Sequence, residues 1–199
     1  KVAVVNSGVP NAFATGKSPR SSLIAVTTGI LGLLDDEELE AVIGHELTHV
    51  RNRDVLVLTL ASVFSTLAWY LAQFSFFGGY QSRNRDSGNA TVIVILVAIV
   101  TWVVSFLIIR AISRYREYSA DRGGAIMTGR PDKLADAIMK ISGKMNKIPA
   151  NELQKVQKLN AFFIIPALSG SSIANLVSTH PPVEKRVQKL KEMMTGVDR

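Results

Sequence analysis

The pentapeptide His45-Glu46-Leu47-Thr48-His49 combines residue types and a spacing suited to metal-assisted hydrolysis. On a helix, positions i and i+4 lie one turn apart on the same face, so His45 and His49 can grip one metal ion with their imidazoles. Glu46 follows the first histidine, where its carboxylate can reach a water on the metal without being a ligand. Zinc hydrolases divide the work in this way: the metal lowers the water's pKa to about 7, and the carboxylate takes the proton. The bare pattern is short and recurs by chance in unrelated chains, so its meaning depends on the surrounding residues.

A catalytic zinc needs a third protein ligand and an open position for water. The candidate is Glu117, in the stretch "RYREYSADRGGA". Glu117 and Asp121 are i and i+4 and share a helix face. Asp121 is placed to accept the outer N–H of a ligating histidine. The plain alternative for Glu117 is a solvated charge paired with Arg114 or Arg116. His180 is the third and last histidine, held before two prolines in "STHPP". It is positioned either to donate to the oxyanion of a tetrahedral intermediate or to serve as an ordinary histidine near a helix start. Arg186, further along the same segment, is expected to pair with an acidic neighbour. Asp54, five residues after His49, is expected to pair with an arginine or to tie down the helix end.

The elements that must position these groups are legible in part. "VAVVN" and "SSLIAVTTG" are strand candidates, the second ending at Gly29, and they predict a hairpin or small sheet; "PNAFATG" between them is turn-rich. The HELTH helix is expected to start at Asp35, with Glu38 completing a capping box and Asp36 and Glu37 suiting its positive end. Leu39, Val42, Ile43, Leu47 and Val50 mark an apolar side. Later, Leu134, Ile138 and Ile141 follow Pro131 at helical spacing. Leu153, Val156 and Leu159 repeat the pattern, and "NAFFIIPALSG" reads as a buried or membrane-surface segment. Val183, Val187 and Leu190 form the inward face of a last helix that starts at its prolines.

Residues 55–80 contain no charge, and a second uncharged run ends at Ile109. Residues 55–77 alone would span about 34 Å as a helix, against a bilayer core of about 30 Å. Both runs are therefore expected to cross a membrane as a helical hairpin. If both rods continue straight out of the bilayer, His49 and Glu117 stand about 9 and 12 Å beyond it on the same side. The hairpin would thus bring Glu117 beside the histidine pair. Arg51 and Arg53 flank the first run and Arg110, Arg114, Arg116 and Arg122 the second, which puts both outer ends in the cytoplasm.

Composition agrees with this. Among 199 residues the net charge is +7, yet the mean hydropathy is positive, as for a membrane protein with basic flanks. The basic residues form no nucleic-acid-binding footprint, so no nucleic-acid partner is expected. Without cysteines, any zinc must be held by histidines and carboxylates. The chain begins with Lys, carries no signal peptide at that end and is read as a fragment or processed chain.

"PNAFATG", "HELTHVRNRD", "EYSAD" and "STHPPVEKR" together resemble the HtpX family of membrane zinc metalloproteases, which is related to the CaaX prenyl protease. Family members usually carry further hydrophobic segments upstream. The resemblance implies one Zn2+ per chain on His45, His49 and Glu117, with Glu46 as catalytic base and His180 catalytic or lining the site. It implies that Asn11, Ala12 and Phe13 belong to an edge segment along which a substrate strand adds by main-chain hydrogen bonds. The expected fold is mainly α with a small β-sheet (α+β): a zincin-like catalytic domain with an inserted transmembrane helical hairpin. Residues 1–54 would carry the sheet and the HExxH helix, 55–109 the hairpin, and 110–199 the C-terminal helical part. The expected function is a multi-pass zinc endopeptidase of the cell membrane, facing the cytoplasm and cleaving misfolded or membrane proteins in quality control. The rivals are a CaaX-type prenyl protease, an intramembrane protease and a non-catalytic membrane scaffold with an incidental motif. The charged surroundings of HELTH, "DDEELE" and "RNRD", place it outside the hydrocarbon and argue against the intramembrane reading. Nothing in the sequence sets an oligomeric state.

Overall fold

A computed structural model of the chain describes residues 1–16, 18–80, 88–149 and 180–196. It divides into two compact units: Lys1–Val55 with Ser113–Arg199, and Leu56–Ile112. The chain is mostly helical with one small sheet, the expected α+β class. The predicted helix over residues 153–159 and the segment 160–170 lie outside the described residues.

In the first unit, three strands form the sheet: β1 (Val2–Val5), β2 (Ala12–Thr15) and β3 (Leu23–Thr27), in the order β1-β3-β2. β1 runs parallel to β3, and β2 runs antiparallel to it with Ala12 opposite Val26. The two expected strands are thus parallel neighbours rather than a hairpin. The segment read as turn-rich contributes the edge strand β2, because its backbone pairs with β3. Thr27 fixes that pairing: its N–H donates to the Asn11 carbonyl (2.9 Å), and its Oγ1 accepts from the Asn11 N–H (2.9 Å). The same hydroxyl accepts from Ile30 and starts a short helix, α1 (Thr28–Leu31), so β3 stops before Gly29.

Helix α2 (Asp36–Arg51) begins as expected. Asp35 accepts from the Glu38 N–H at 2.8 Å, and the Glu38 carboxylate accepts from the Asp35 N–H at 3.0 Å. Two orphan donors of the first turn are satisfied reciprocally. Its buried face differs from the expected apolar stripe. Ala41, Val42, Gly44, His45, Glu46 and Thr48 are buried, whereas Leu47 is 40% exposed. The side of α2 turned inward is the one that carries His45, Glu46 and Thr48.

Helix α2 ends at Arg51, Arg53 takes a left-handed φ of 54°, and helix α3 (Asp54–Tyr80) starts afresh. The expected straight rod from His49 into the first apolar run is therefore broken. Helix α4 (Gly88–Thr128) is continuous across its apolar run and Glu117. Helices α5 (Pro131–Met145) and α6 (Val183–Met194) bury the predicted residues Leu134, Ile138, Ile141, Val187 and Leu190. These join Val26, Ile30, Val42 and Ala125 in one core. Burial of each large aliphatic side chain is worth about 1.5–3 kcal/mol, which holds the helices on the sheet.

The second unit consists of the helical stretches of α3 and α4 within residues 56–112. Its large apolar side chains lie open: Phe64 is 66% exposed and Ile93 60%, with Leu60, Val63, Val97 and Trp102 similarly bare. Among the described residues, no helix is long and apolar enough to cross a membrane.

Candidate active site

Three elements supply the site. Helix α2 presents His45, Glu46 and His49, the C-terminal part of α4 presents Glu117 and Asp121, and the start of α6 brings His180 and Arg186. The approach of α4 to α2 depends on two adjacent glycines, which the sequence reading passed over. A Cβ at Gly124 would stand 2.7 Å from the His45 backbone nitrogen, and one at Gly123 would stand 2.4 Å from Thr48 Cγ2. Glycine costs helix stability relative to alanine, but here it lets α4 lie directly against the histidine turn.

Donor atoms of His45, His49 and Glu117 all lie within 4.8 Å of one another. The Nε2 atoms of the two histidines are 3.1 Å apart. Glu117 Oε1 is 3.6 Å from His49 Nε2, and Oε2 is 3.8 Å from His45 Nε2. The opposite nitrogen of each ring faces a carboxylate: His45 Nδ1 lies 2.9 Å from Asp121 Oδ1, and His49 Nδ1 lies 2.5 Å from Asp54 Oδ2. A carboxylate only accepts, so each ring carries its proton on Nδ1 and turns a bare Nε2 lone pair inward. Two lone pairs and a carboxylate pointing at one spot repel unless a cation sits among them. Ligand bonds of about 2.0–2.1 Å at tetrahedral angles would set the donor atoms roughly 3.3 Å apart. The donor set therefore fits a divalent metal.

Each supporting carboxylate is itself held by an arginine. Arg186 donates to Asp121 through Nε (2.8 Å) and Nη2 (2.7 Å), a bidentate pair in which both residues are buried. Arg116 Nε lies 3.1 Å from Asp54 Oδ1. Burial pushes the Asp121 carboxyl up, but the Arg186 guanidinium and His45 outweigh it and keep its pKa below the ordinary value. Burial likewise raises Asp54, and His49 and Arg116 outweigh it. Glu117 is driven up by burial, yet His180, Arg186 and His49 hold it well below the usual carboxylate range. His180 Nδ1 stands 3.3 Å from Glu117 Oε2, and Arg186 Nη1 stands 3.6 Å from the same oxygen.

Glu46 behaves differently. Burial raises its pKa, and that effect exceeds the lowering by His45, His49 and a hydrogen bond from the backbone of Ala14. A buried carboxyl with a raised pKa is better suited to taking and returning a proton than an ordinary carboxylate. The Ala14 bond also ties Glu46 to the edge strand β2, where Ala12 is buried and Phe13 half-buried, and Asn11 just before it is buried too.

The structure thus gathers His45, His49, Glu117, Asp121, Asp54, His180 and Arg186 around one point, with Glu46 beside it. Glu117 is not a solvated surface charge; it is 7% exposed. The residue whose place in the site the sequence reading missed is Arg116, counted there as a membrane-flanking charge and as a possible surface partner of Glu117. Its place next to Glu117 was the available signal.

Comparison with known proteins agrees with this geometry. The model of peptidase family M48 matches residues 1–194. The chain is 56% identical over 194 residues to Protease HtpX homolog 2 of Methanosarcina acetivorans, covering 97% of this chain and 66% of that protein. It is 53% identical over 196 residues to the Protease HtpX homolog of Moorella thermoacetica, with the same coverages. The chain therefore spans about two thirds of the length of these curated relatives. Among solved structures, it is similar to that of S. mikatae Ste24p, with a TM-score of 0.60 and 19% identity over 96% of this chain and 44% of that one, a likeness of fold. With its HExxH helix, its third acidic donor and a match along nearly its whole length, the chain belongs to peptidase family M48.

Proposed function

We propose that this chain is the catalytic part of a membrane-anchored zinc endopeptidase that hydrolyses peptide bonds in misfolded or membrane proteins, with its site on the cytoplasmic side. The convergence of His45, His49 and Glu117 on one point, each imidazole backed by a carboxylate, carries this reading. Two neutral imidazoles and a carboxylate suit zinc, which when bound supplies the Lewis acidity that acidifies water and polarises a carbonyl. Glu46 takes a proton from the attacking water onto its carboxylate and passes it to the leaving amine. His180, held at the wall of the site beside Glu117, donates a hydrogen bond to the developing oxyanion. Asp121 and Asp54 keep the two Nδ1 protons in place, so that both Nε2 atoms remain available to the metal. An extended substrate lies along Asn11, Ala12 and Phe13 at the sheet edge.

Residues 55–109 serve as the membrane anchor. The uncharged runs and the bare apolar side chains of that stretch support this, since such surface is unfavourable in water. The arginines at both outer ends support a cytoplasmic site. A prenyl protease shares the chemistry, but the likeness to Ste24p concerns fold alone and gives no reason to expect a lipidated substrate. A scaffold with an incidental motif leaves the buried, paired ionisable groups without explanation.

The test is metal analysis of the detergent-purified protein together with casein digestion. The expected result is one zinc per chain and digestion that stops on chelation and returns with zinc. Protein that binds no metal, or digests casein equally well in chelator, overturns the reading.

A further inference from the structure

The two histidines are supported unequally. His45 is backed by Asp121, which Arg186 grips with two hydrogen bonds inside the core. His49 is backed by Asp54, the first residue of α3, immediately after the left-handed turn at Arg53. That turn is tied back to α2 by Asn52 N–H to the Thr48 carbonyl (2.9 Å) and Arg53 N–H to the Val50 carbonyl (3.2 Å), but Asp54 itself lies beyond the end of α2 at Arg51. What holds the Asp54 carboxylate in line is Arg116 on α4, with Nε 3.1 Å from Oδ1 while Oδ2 faces His49 Nδ1. Arg116 and Glu117 are consecutive, and consecutive helical side chains diverge. They address opposite ends of the same imidazole: Glu117 Oε1 approaches Nε2 at 3.6 Å, and Arg116 reaches Nδ1 through Asp54.

From this geometry we propose that Arg116 is a positioning residue, which aims the His49 imidazole at the metal by fixing the Asp54 carboxylate across the break between α2 and α3. The proposal rests on the metal-site reading above. Arg116 touches neither metal nor substrate in this scheme. It sets the ring's orientation and its Nδ1–H tautomer, and so governs how well His49 binds metal. Outer partners of ligating histidines typically account for about 10- to 100-fold in metal affinity.

The experiment is a Co2+ titration of the metal-stripped, full-length, detergent-purified protein, read by the visible absorption of the bound ion. Wild type is compared with Arg116→Met, Asp54→Asn and the double variant. Arg116→Met is expected to weaken Co2+ about 10-fold. In the Asp54→Asn background, the same change should have little further effect, because the relay is already cut. Arg116→Lys, which keeps the charge beside Asp54, should recover part of the affinity. An Arg116→Met protein that binds Co2+ like wild type overturns the proposal, and so does a loss that is equally large with Asn at position 54. If Arg116→Met does not fold, the same comparison is made with Arg116→Lys, expected to lose about 3-fold only while Asp54 is present. Failure of the wild type to bind Co2+ would instead overturn the metal site itself.

Discussion

Replacement of Gly124 by alanine tests whether helix approach sets the metal site. The new Cβ would lie 2.7 Å from the His45 nitrogen, 2.9 Å from its Cα and 3.1 Å from the Gly44 carbonyl carbon. These are backbone atoms of a regular helix and cannot turn aside. Ordinary contact begins at 3.4 Å, so α2 and α4 must separate locally by at least about 0.7 Å. Metal sites tolerate errors of about 0.2 Å in ligand distance, and Glu117 rides on the helix that moves. Overpacking costs about 1–3 kcal/mol, partly offset by the roughly 0.5–1 kcal/mol by which alanine favours a helix over glycine. The metal-free protein should therefore lose about 1–2 kcal/mol, or about 2–8 °C in Tm. Metal affinity, measured by Co2+ titration, should fall roughly 10- to 100-fold. Gly143→Ala on α5 is the control, since its Cβ meets nothing within 4 Å. It should stabilise the protein by about 0.5–1 kcal/mol and leave metal binding unchanged. A Gly124→Ala protein with wild-type Tm and metal affinity would refute the argument that close packing delivers Glu117 to the histidines.

Glu46→Gln should retain its metal by elemental analysis while casein digestion falls by about 10²–10⁴-fold, the usual worth of a positioned base; near-full cleavage would remove Glu46 from that role. Arg186→Met leaves the buried Asp121 carboxylate without its bidentate partner, and should lower stability by about 3–5 kcal/mol in denaturant unfolding. A change within error would mean that the pair adds nothing. Asp35 has its pKa held below 3.8, chiefly by the Glu38 backbone N–H. A depressed carboxylate stabilises above its unfolded pKa and loses that contribution as pH falls through its folded pKa. Asp35→Ala should therefore lower Tm at neutral pH, and the gap from wild type should close below pH 3.8. A gap that widens on acidification would contradict the cap.

Much of the candidate site could be read without coordinates because it depends on short-range geometry. The spacing of His45 and His49, the Asp35–Glu38 capping box and the apolar stripes of α5 and α6 all follow from helical period and capping, which act within a turn or two. The family resemblance, stated from four motifs, agrees with the match to peptidase family M48 and with the HtpX relatives. Where the reading failed, a distant partner prevailed over local preference. Ala12–Thr15 looks like turn sequence and becomes a strand because β3 offers it a ladder. Leu47 fits the apolar stripe of α2 but faces outward, since the inward side is occupied by the candidate metal-site residues. The straight rod drawn from His49 into the apolar run broke at Arg53, a residue whose left-handed backbone has no marker in a short "RNRD".

Periodicity and capping in the chain alone were enough to put two imidazoles and a carboxylate on one helix, and to nominate an acidic third donor. They act over a few residues, and the relevant residues are neighbours. Which arginine serves which carboxylate, how close α4 lies to α2, and the arrival of His180 beside Glu117 are set by packing between segments separated by tens of residues. Those contacts depend on shape and burial once the helices have docked, and no local pattern specifies them.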